Sequence, residues 1–115
     1  MGKEYNLLTR TGEFGLAAIR FAKTIAFNPI TSPIINQLIR AATSVGANYA
    51  EANEAISARD FVNKLCIAKK EAKEVIHWLK MLDEACKCDR QESDRLKQEA
   101  QELVLIMSAI IRNKS

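Results

Sequence analysis

Between residues 69 and 88 the chain carries several residue types whose spacing could do chemistry. Glu71 and Glu74 stand three apart, so a helix would bring both carboxylates to one face. Glu74-Val75-Ile76-His77 has the Glu-x-x-His spacing of di-iron bundles, but such sites take the motif from two helices and the sequence holds one copy. Cys86-Lys87-Cys88 offers two thiols without a second ligand pair, so idle or buried thiols are the simpler reading. There is one His, no Gly-rich phosphate loop and no recognised nucleophile–base spacing. His77, between Lys73 and Lys80, reads as a surface residue rather than a general base. The residues therefore point away from an enzyme, a cofactor or a metal site.

Two other patterns concern binding. Lys69, Lys73 and Lys80 form one basic row, flanked by Lys70 and His77; it is either a solvated face or a strip for phosphate contact. Residues 1–50 add Arg20 and Lys23 to the basic side, holding five basic groups (Lys3, Arg10, Arg20, Lys23, Arg40) against two acidic ones (Glu4, Glu13). The nucleic-acid candidates are thus Arg20, Lys23, Lys69, Lys70, Lys73 and Lys80. The second pattern is NQLIRAATSVGANYAEANE at 36–54, which reads as a helix but has few long polar side chains. With about 100° per residue, Leu38, Ala42, Val45, Tyr49 and Ala52 share one face. Ile39, Thr43, Gly46 and Ala50 make a second row of mostly small side chains, and Ala47, Ser44, Arg40 and Glu51 lie opposite the core. A close neighbour must cover this second row, either another helix of the same chain or another subunit. Arg40 and Glu51 are on one face but about 16 Å apart along the axis, too far to pair. Ile67, Trp78 and Met81 lie off the main seam of their own helix, and an off-seam Trp is typical of interface cores. These residues, with Ile39, Arg40, Thr43, Ser44, Gly46, Ala47, Ala50 and Glu51, are the subunit-contact candidates. Asn48, at the core boundary, could bridge helices.

Four helical stripes must position these groups. They are Phe14/Ala18/Phe21/Ile25, Leu38/Ala42/Val45/Tyr49/Ala52, a run from Phe61 through Leu65, Ala68, Ala72, Val75, Leu79 and Leu82 to Cys86, and Leu96/Ala100/Leu103/Met107/Ile110. Each follows steps of four and three, as an amphipathic helix requires, and none alternates like a strand. Punctuation places the helices at about 11–27, 33–54, 58–87 and 90–112. Asn28-Pro29 closes the first, Ser32-Pro33 supplies N-cap and N1 of the second, Ser57-x-x-Asp60 caps the third, and Asp89 with Glu92 caps the fourth. Short connections between long helices predict an all-α, antiparallel up-down-up-down four-helix bundle over 1–115 as a single domain.

Composition agrees. With 115 residues, 48% hydrophobic and 27% charged, the chain has the proportions of a soluble globular domain. Four Gly and two Pro leave little material for many turns. The net charge of +3 does not by itself announce a nucleic-acid binder. LVLIMSAII at 103–111 falls short of the roughly 20 apolar residues that span a bilayer. MGKEYNLLTR lacks a signal-peptide core, and Asn6 breaks the myristoylation pattern. Three Cys cannot all pair within one chain, so a cytoplasmic location without membrane contact is expected.

The run RAATSVGANYAEA, followed by Ser57, Asp60-Phe61-Val62, Lys64-Leu65, Lys70-Glu71-Ala72, Glu74 and Trp78-Leu79, resembles the bacterial four-helix-bundle proteins encoded in intervening sequences of 23S ribosomal RNA genes, labelled S23 ribosomal proteins. Some members carry Glu-Gly where this chain has Glu51-Ala52. A relative is the accessory variability protein of diversity-generating retroelements. The resemblance implies an antiparallel bundle assembled as a homopentameric ring, with RNA or DNA, and a reverse transcriptase or another protein client, as possible partners. For most members it implies no established activity. Two functions follow as expectations: a homo-oligomer that binds RNA or DNA through its basic outer surface, or a scaffold for a protein client with no nucleic-acid role.

Overall fold

A computed structural model describes residues 6–114; residues 1–5, on which the reading of targeting signals rests, lie outside the described residues. Among the described residues there are four helices and no strand. They are α1 (Leu7–Ala22), α2 (Thr31–Asn53), α3 (Ala58–Ala85) and α4 (Arg90–Lys114).

Helix starts follow local hydrogen-bond chemistry. Asn6 Oδ1 accepts from the Thr9 amide at 3.2 Å, so α1 begins four residues before the expected position. Ser57 Oγ accepts from the Asp60 amide at 3.0 Å, and Asp89 Oδ1 from the Glu92 amide at 3.2 Å, as the sequence predicts for α3 and α4. The turn between α1 and α2 differs from expectation. Helix α1 stops at Ala22, five residues before the predicted end, where the Thr24 hydroxyl donates to the Phe21 carbonyl at 2.6 Å. Asn28, rather than Ser32, organises the start of α2. Its Oδ1 accepts from the amides of Ile30 and Thr31, both at 2.9 Å, while the Asn28 amide donates to Thr31 Oγ1 at 3.0 Å. The Thr31 hydroxyl in turn reaches back to the Ala26 carbonyl, so Asn28 and Thr31 together satisfy an end that Ser32 was expected to cap.

The four stripes converge on one core. Phe14, Ala18, Phe21, Leu38, Val45, Leu65, Val75, Leu79, Leu82, Leu96, Leu103 and Met107 are buried, while Ile25, Tyr49, Phe61, Cys86 and Ile110 pack at its margin. α1 packs on α2, α2 on α3 and α3 on α4, with a lighter seam between α4 and α1. Ion pairs fix the direction: Glu51 near the end of α2 meets Lys64 near the start of α3, and Arg40 meets Glu71 and Glu74 further along it. Residue numbers rise on one helix as they fall on the other, so α2 and α3 are antiparallel. Gly46 and Gly15 show the same for α1 and α2, since they lie against Thr11–Gly12 and Ala42–Thr43 respectively. Among the described residues, no helix is long and apolar enough to cross a membrane.

Candidate nucleic-acid interface

α3 is the longest helix, at 28 residues, and has α2 on one flank and α4 on the other. Its core row (Leu65, Ala68, Ala72, Val75, Leu79, Leu82) leaves a wide outer surface. Charges on the two flanks are used within the chain. Towards α2, Arg40 donates to Gln37 Oε1 at 2.9 Å and to Glu71 Oε1 at 3.1 Å, and also binds Glu74. Glu74 accepts from the Trp78 indole N–H at 2.9 Å, which fixes that half-buried ring. Lys64 reaches Glu51 at 2.8 Å, and its ammonium is held above its usual range by that hydrogen bond and charge. The partners that Arg40 and Glu51 require are therefore the residues of α3.

Towards α4 sits a second cluster, around Asp83. Its carboxylate accepts from the Ser93 hydroxyl at 2.8 Å and from Lys97, and lies 3.4 Å from Arg90. Burial opposes ionisation of Asp83, but the hydrogen bonds from Lys97 and Ser93 and the charges of Lys97 and Arg90 outweigh it, so the carboxyl is held below its ordinary range. Ser93 is fully buried, and its hydroxyl is committed to Asp83, so this Ser and Lys stabilise the α3–α4 junction rather than offering a nucleophile.

Between these flanks lie Lys69, Lys70, Lys73 and Lys80, none of which makes an ion pair among the described residues. Taking Lys69 as zero and about 100° per residue, Lys80, Lys73 and Lys70 fall near 20°, 40° and 100°. Arg59, exposed in the first turn of α3, falls near 80° and extends the face; sequence reasoning missed it. Its signal was available, ten residues before Lys69, but it sits beside the cap motif and was absorbed into the helix start. The strip is broken by one acid, Glu84, at its far end.

The other two basic candidates do not join it. Arg20 lies on α1, 3.8 Å from Glu13, and Lys23 is the residue that follows that helix. α1 and α3 do not pack on one another, so the six predicted cations form two separate groups.

The subunit-contact candidates divide as well. A Cβ on Gly46 would lie 3.2 Å from the Thr11 carbonyl oxygen and 3.3 Å from the Gly12 nitrogen. The close neighbour that this glycine admits is α1 of the same chain. Ile39 packs against the core, Ala50 is half-buried, and the Thr43 hydroxyl donates to the Ile39 carbonyl at 2.8 Å. Asn48 donates to the Ser44 carbonyl at 2.9 Å, bonding within α2 instead of bridging helices. Ala47 remains exposed in a shallow groove between α1 and α2, beside Leu8, Gly12, Leu16 and Ile19. Ile67 and Met81 are exposed on α3, at 41% and 39%.

The remaining chemical candidates are held apart from any shared site. His77 is exposed and meets Trp78 edge-on at 4.7 Å between ring centroids. Cys86 Sγ donates to the Leu82 carbonyl at 3.4 Å and Cys88 Sγ to Asp83 at 3.7 Å. Burial, then the neighbouring Cys86 and Asp83, push the Cys88 thiol up to about 11. No cluster of three or more His, Cys, Asp or Glu that could hold a metal ion occurs among the described residues. A cavity of about 470 Å³ opens at the α1–α4 seam, between Leu7, Tyr49, Ile106 and Ile110, and brings no nucleophile beside a base.

The model of the 23S rRNA-intervening sequence protein family matches residues 4–109, nearly the whole chain. The chain belongs to that family. A crystal structure of a protein of unknown function from the S23 ribosomal protein family of Bacteroides thetaiotaomicron VPI-5482 is similar throughout. It shares 31% identity and a TM-score of 0.82, covering 90% of this chain and 96% of the other. Among curated proteins none matches the chain. The family match thus extends over all four helices.

Proposed function

We propose that this 23S rRNA-intervening sequence family protein is a non-enzymatic, cytoplasmic homo-oligomer that binds RNA or DNA through the outer face of α3. One observation carries the reading. The chain spends Arg10, Arg40, Arg90, Arg95, Lys64 and Lys97 on internal carboxylates, yet leaves four lysines of one helix face without partners. Unpaired cations so placed create a local positive field despite the modest net charge of +3. Filter binding to structured RNA and to DNA tests it. Retention at about 50 mM salt that falls steeply as salt rises is expected, and no retention at that salt refutes it.

A second reading, a scaffold for a protein client, is favoured by exposed apolar groups: Leu8 and Leu16 beside Ala47, and Ile67 and Met81 on α3. Scattered apolar residues are normal, whereas a contiguous patch marks a contact surface. Self-assembly through the groove between α1 and α2 around Ala47, as a five-membered ring, is the specific form proposed. Sedimentation would then give about five times the 12.9 kDa chain mass, and Ala47→Arg would dissociate the ring while leaving the helices intact. A monomeric wild type removes the assembly from both readings.

A further inference from the structure

We infer that the α3 strip binds duplex nucleic acid through its phosphates alone, without regard to base sequence; this rests on the nucleic-acid reading above and specifies its ligand. The shape of the strip suits a duplex. From Lys69 to Lys80 the helix rises about 16 Å, and from Arg59 about 32 Å, within an arc of about 100°. α2 and α4 hold α3 along both flanks, so the strip is a straight, fixed row. A duplex presents a regular phosphate array with about one charge per 1.7 Å of axis, which a fixed row can engage without ordering a flexible strand.

The strip is also poor in groups that read bases. Bases are read mainly by forked arginine and by Asn or Gln amides, whereas lysine acts as a point charge. Arg10, Arg20, Arg40, Arg90 and Arg95 are all engaged by carboxylates. On this face the forked-arginine and amide groups are Arg59 and exposed Asn63, about one turn apart at its N-terminal end. That pair reaches too little of a duplex to set a sequence.

Single strands are gripped by stacking on aromatic rings. Here Trp78 is half-buried with its N–H given to Glu74, and His77 packs edge-on against it. Phe61 is half-buried, with the Lys114 ammonium 5.6 Å from its ring centre. The strip therefore has a row of cations for phosphates and a single exposed ring, His77, too few to stack successive bases.

Fluorescence anisotropy with RNA and DNA duplexes of about 24 base pairs in unrelated sequences, and with the matching single strands, tests the inference. Four phosphate contacts per engaged strip give a slope of log K against log salt near −3.6, hence about 150-fold weaker binding between about 50 and 200 mM salt. Unrelated duplexes bind within about threefold, RNA and DNA duplexes within about tenfold, and single strands more weakly. Replacing Lys69, Lys70, Lys73 and Lys80 together by Gln removes the slope, whereas Arg20→Gln with Lys23→Gln leaves it, circular dichroism confirming that both variants are folded. A single-strand preference, a strong sequence preference or a wide RNA–DNA separation overturns the phosphate-only duplex assignment. Wild-type binding by the quadruple variant moves the site elsewhere and leaves nucleic-acid binding standing. No binding to any probe at about 50 mM salt refutes both.

Discussion

Substituting Gly46 and Gly12 separately by alanine gives a direct test of where α2 finds its close neighbour. In a helix interior, Gly→Ala gains about 0.8–1 kcal/mol from propensity alone. At Gly12 the new methyl meets nothing within 4 Å, so Gly12→Ala keeps that gain and stabilises by about 0.5–1 kcal/mol. At Gly46 the methyl would sit 3.2–3.3 Å from the Thr11 carbonyl and the Gly12 nitrogen. These are backbone atoms of a helix and cannot rotate away. Accommodating the methyl shifts α1 by a few tenths of an ångström, and overpacking costs about 1–3 kcal/mol. Subtracting the propensity gain leaves Gly46→Ala destabilised by about 1 kcal/mol, so the two variants differ by about 2 kcal/mol. With m of about 1.5 kcal/mol/M, their urea midpoints separate by about 1.3 M. Gly46→Leu goes further, displacing α1 from α2 and costing about 3 kcal/mol even at protein concentrations too low for assembly. If Gly46→Ala stabilises as much as Gly12→Ala, the tight α1–α2 contact does not constrain this fold and the reasoning fails.

Asp83→Ala strands Lys97 and the buried Ser93 hydroxyl, and should cost about 3 kcal/mol, while Asp83→Leu with Lys97→Met and Ser93→Ala recovers most of it; urea denaturation of both variants measures this. Because the folded-state pKa of Asp83 is lowered, its stabilisation is present above the ordinary carboxyl range and is lost as pH falls through the lowered value. The gap between wild type and Asp83→Ala therefore narrows between about pH 7 and pH 3, and a gap that widens contradicts the assignment. Cys88, with its thiol raised to about 11, should alkylate slowly at neutral pH and accelerate towards pH 11, whereas exposed Cys66 reacts first; mass mapping of iodoacetamide adducts against pH checks this order.

The residues that decide the fold were legible because helix periodicity is local. Phe14, Leu38, Leu65 and Leu103 repeat with their stripes whatever the rest of the molecule does, and each is buried. Caps at Ser57 and Asp89 were equally legible, since donor and acceptor lie three residues apart. The α1–α2 turn was not. Its solution depends on Asn28 and Thr31 exchanging several hydrogen bonds at once, which competes with the simpler Ser32-Pro33 signal.

Position around a helix axis also follows from sequence, and it placed the lysine row of α3, the small-residue row of α2 and the Arg40–Glu51 separation. What lies across each face does not, because it depends on which helices become neighbours and at what register. Only the packed bundle decided that Arg40 is met by Glu71 and Glu74, that Glu51 is met by Lys64, and that Gly46 is filled by α1. It also decided that Arg20 and Lys23 lie apart from the lysines of α3, because α1 and α3 are not neighbours. Charge along a chain is a property of sequence; which charges remain free to meet a ligand is settled by the distances that packing imposes, since an ion pair forms or fails within about 4 Å.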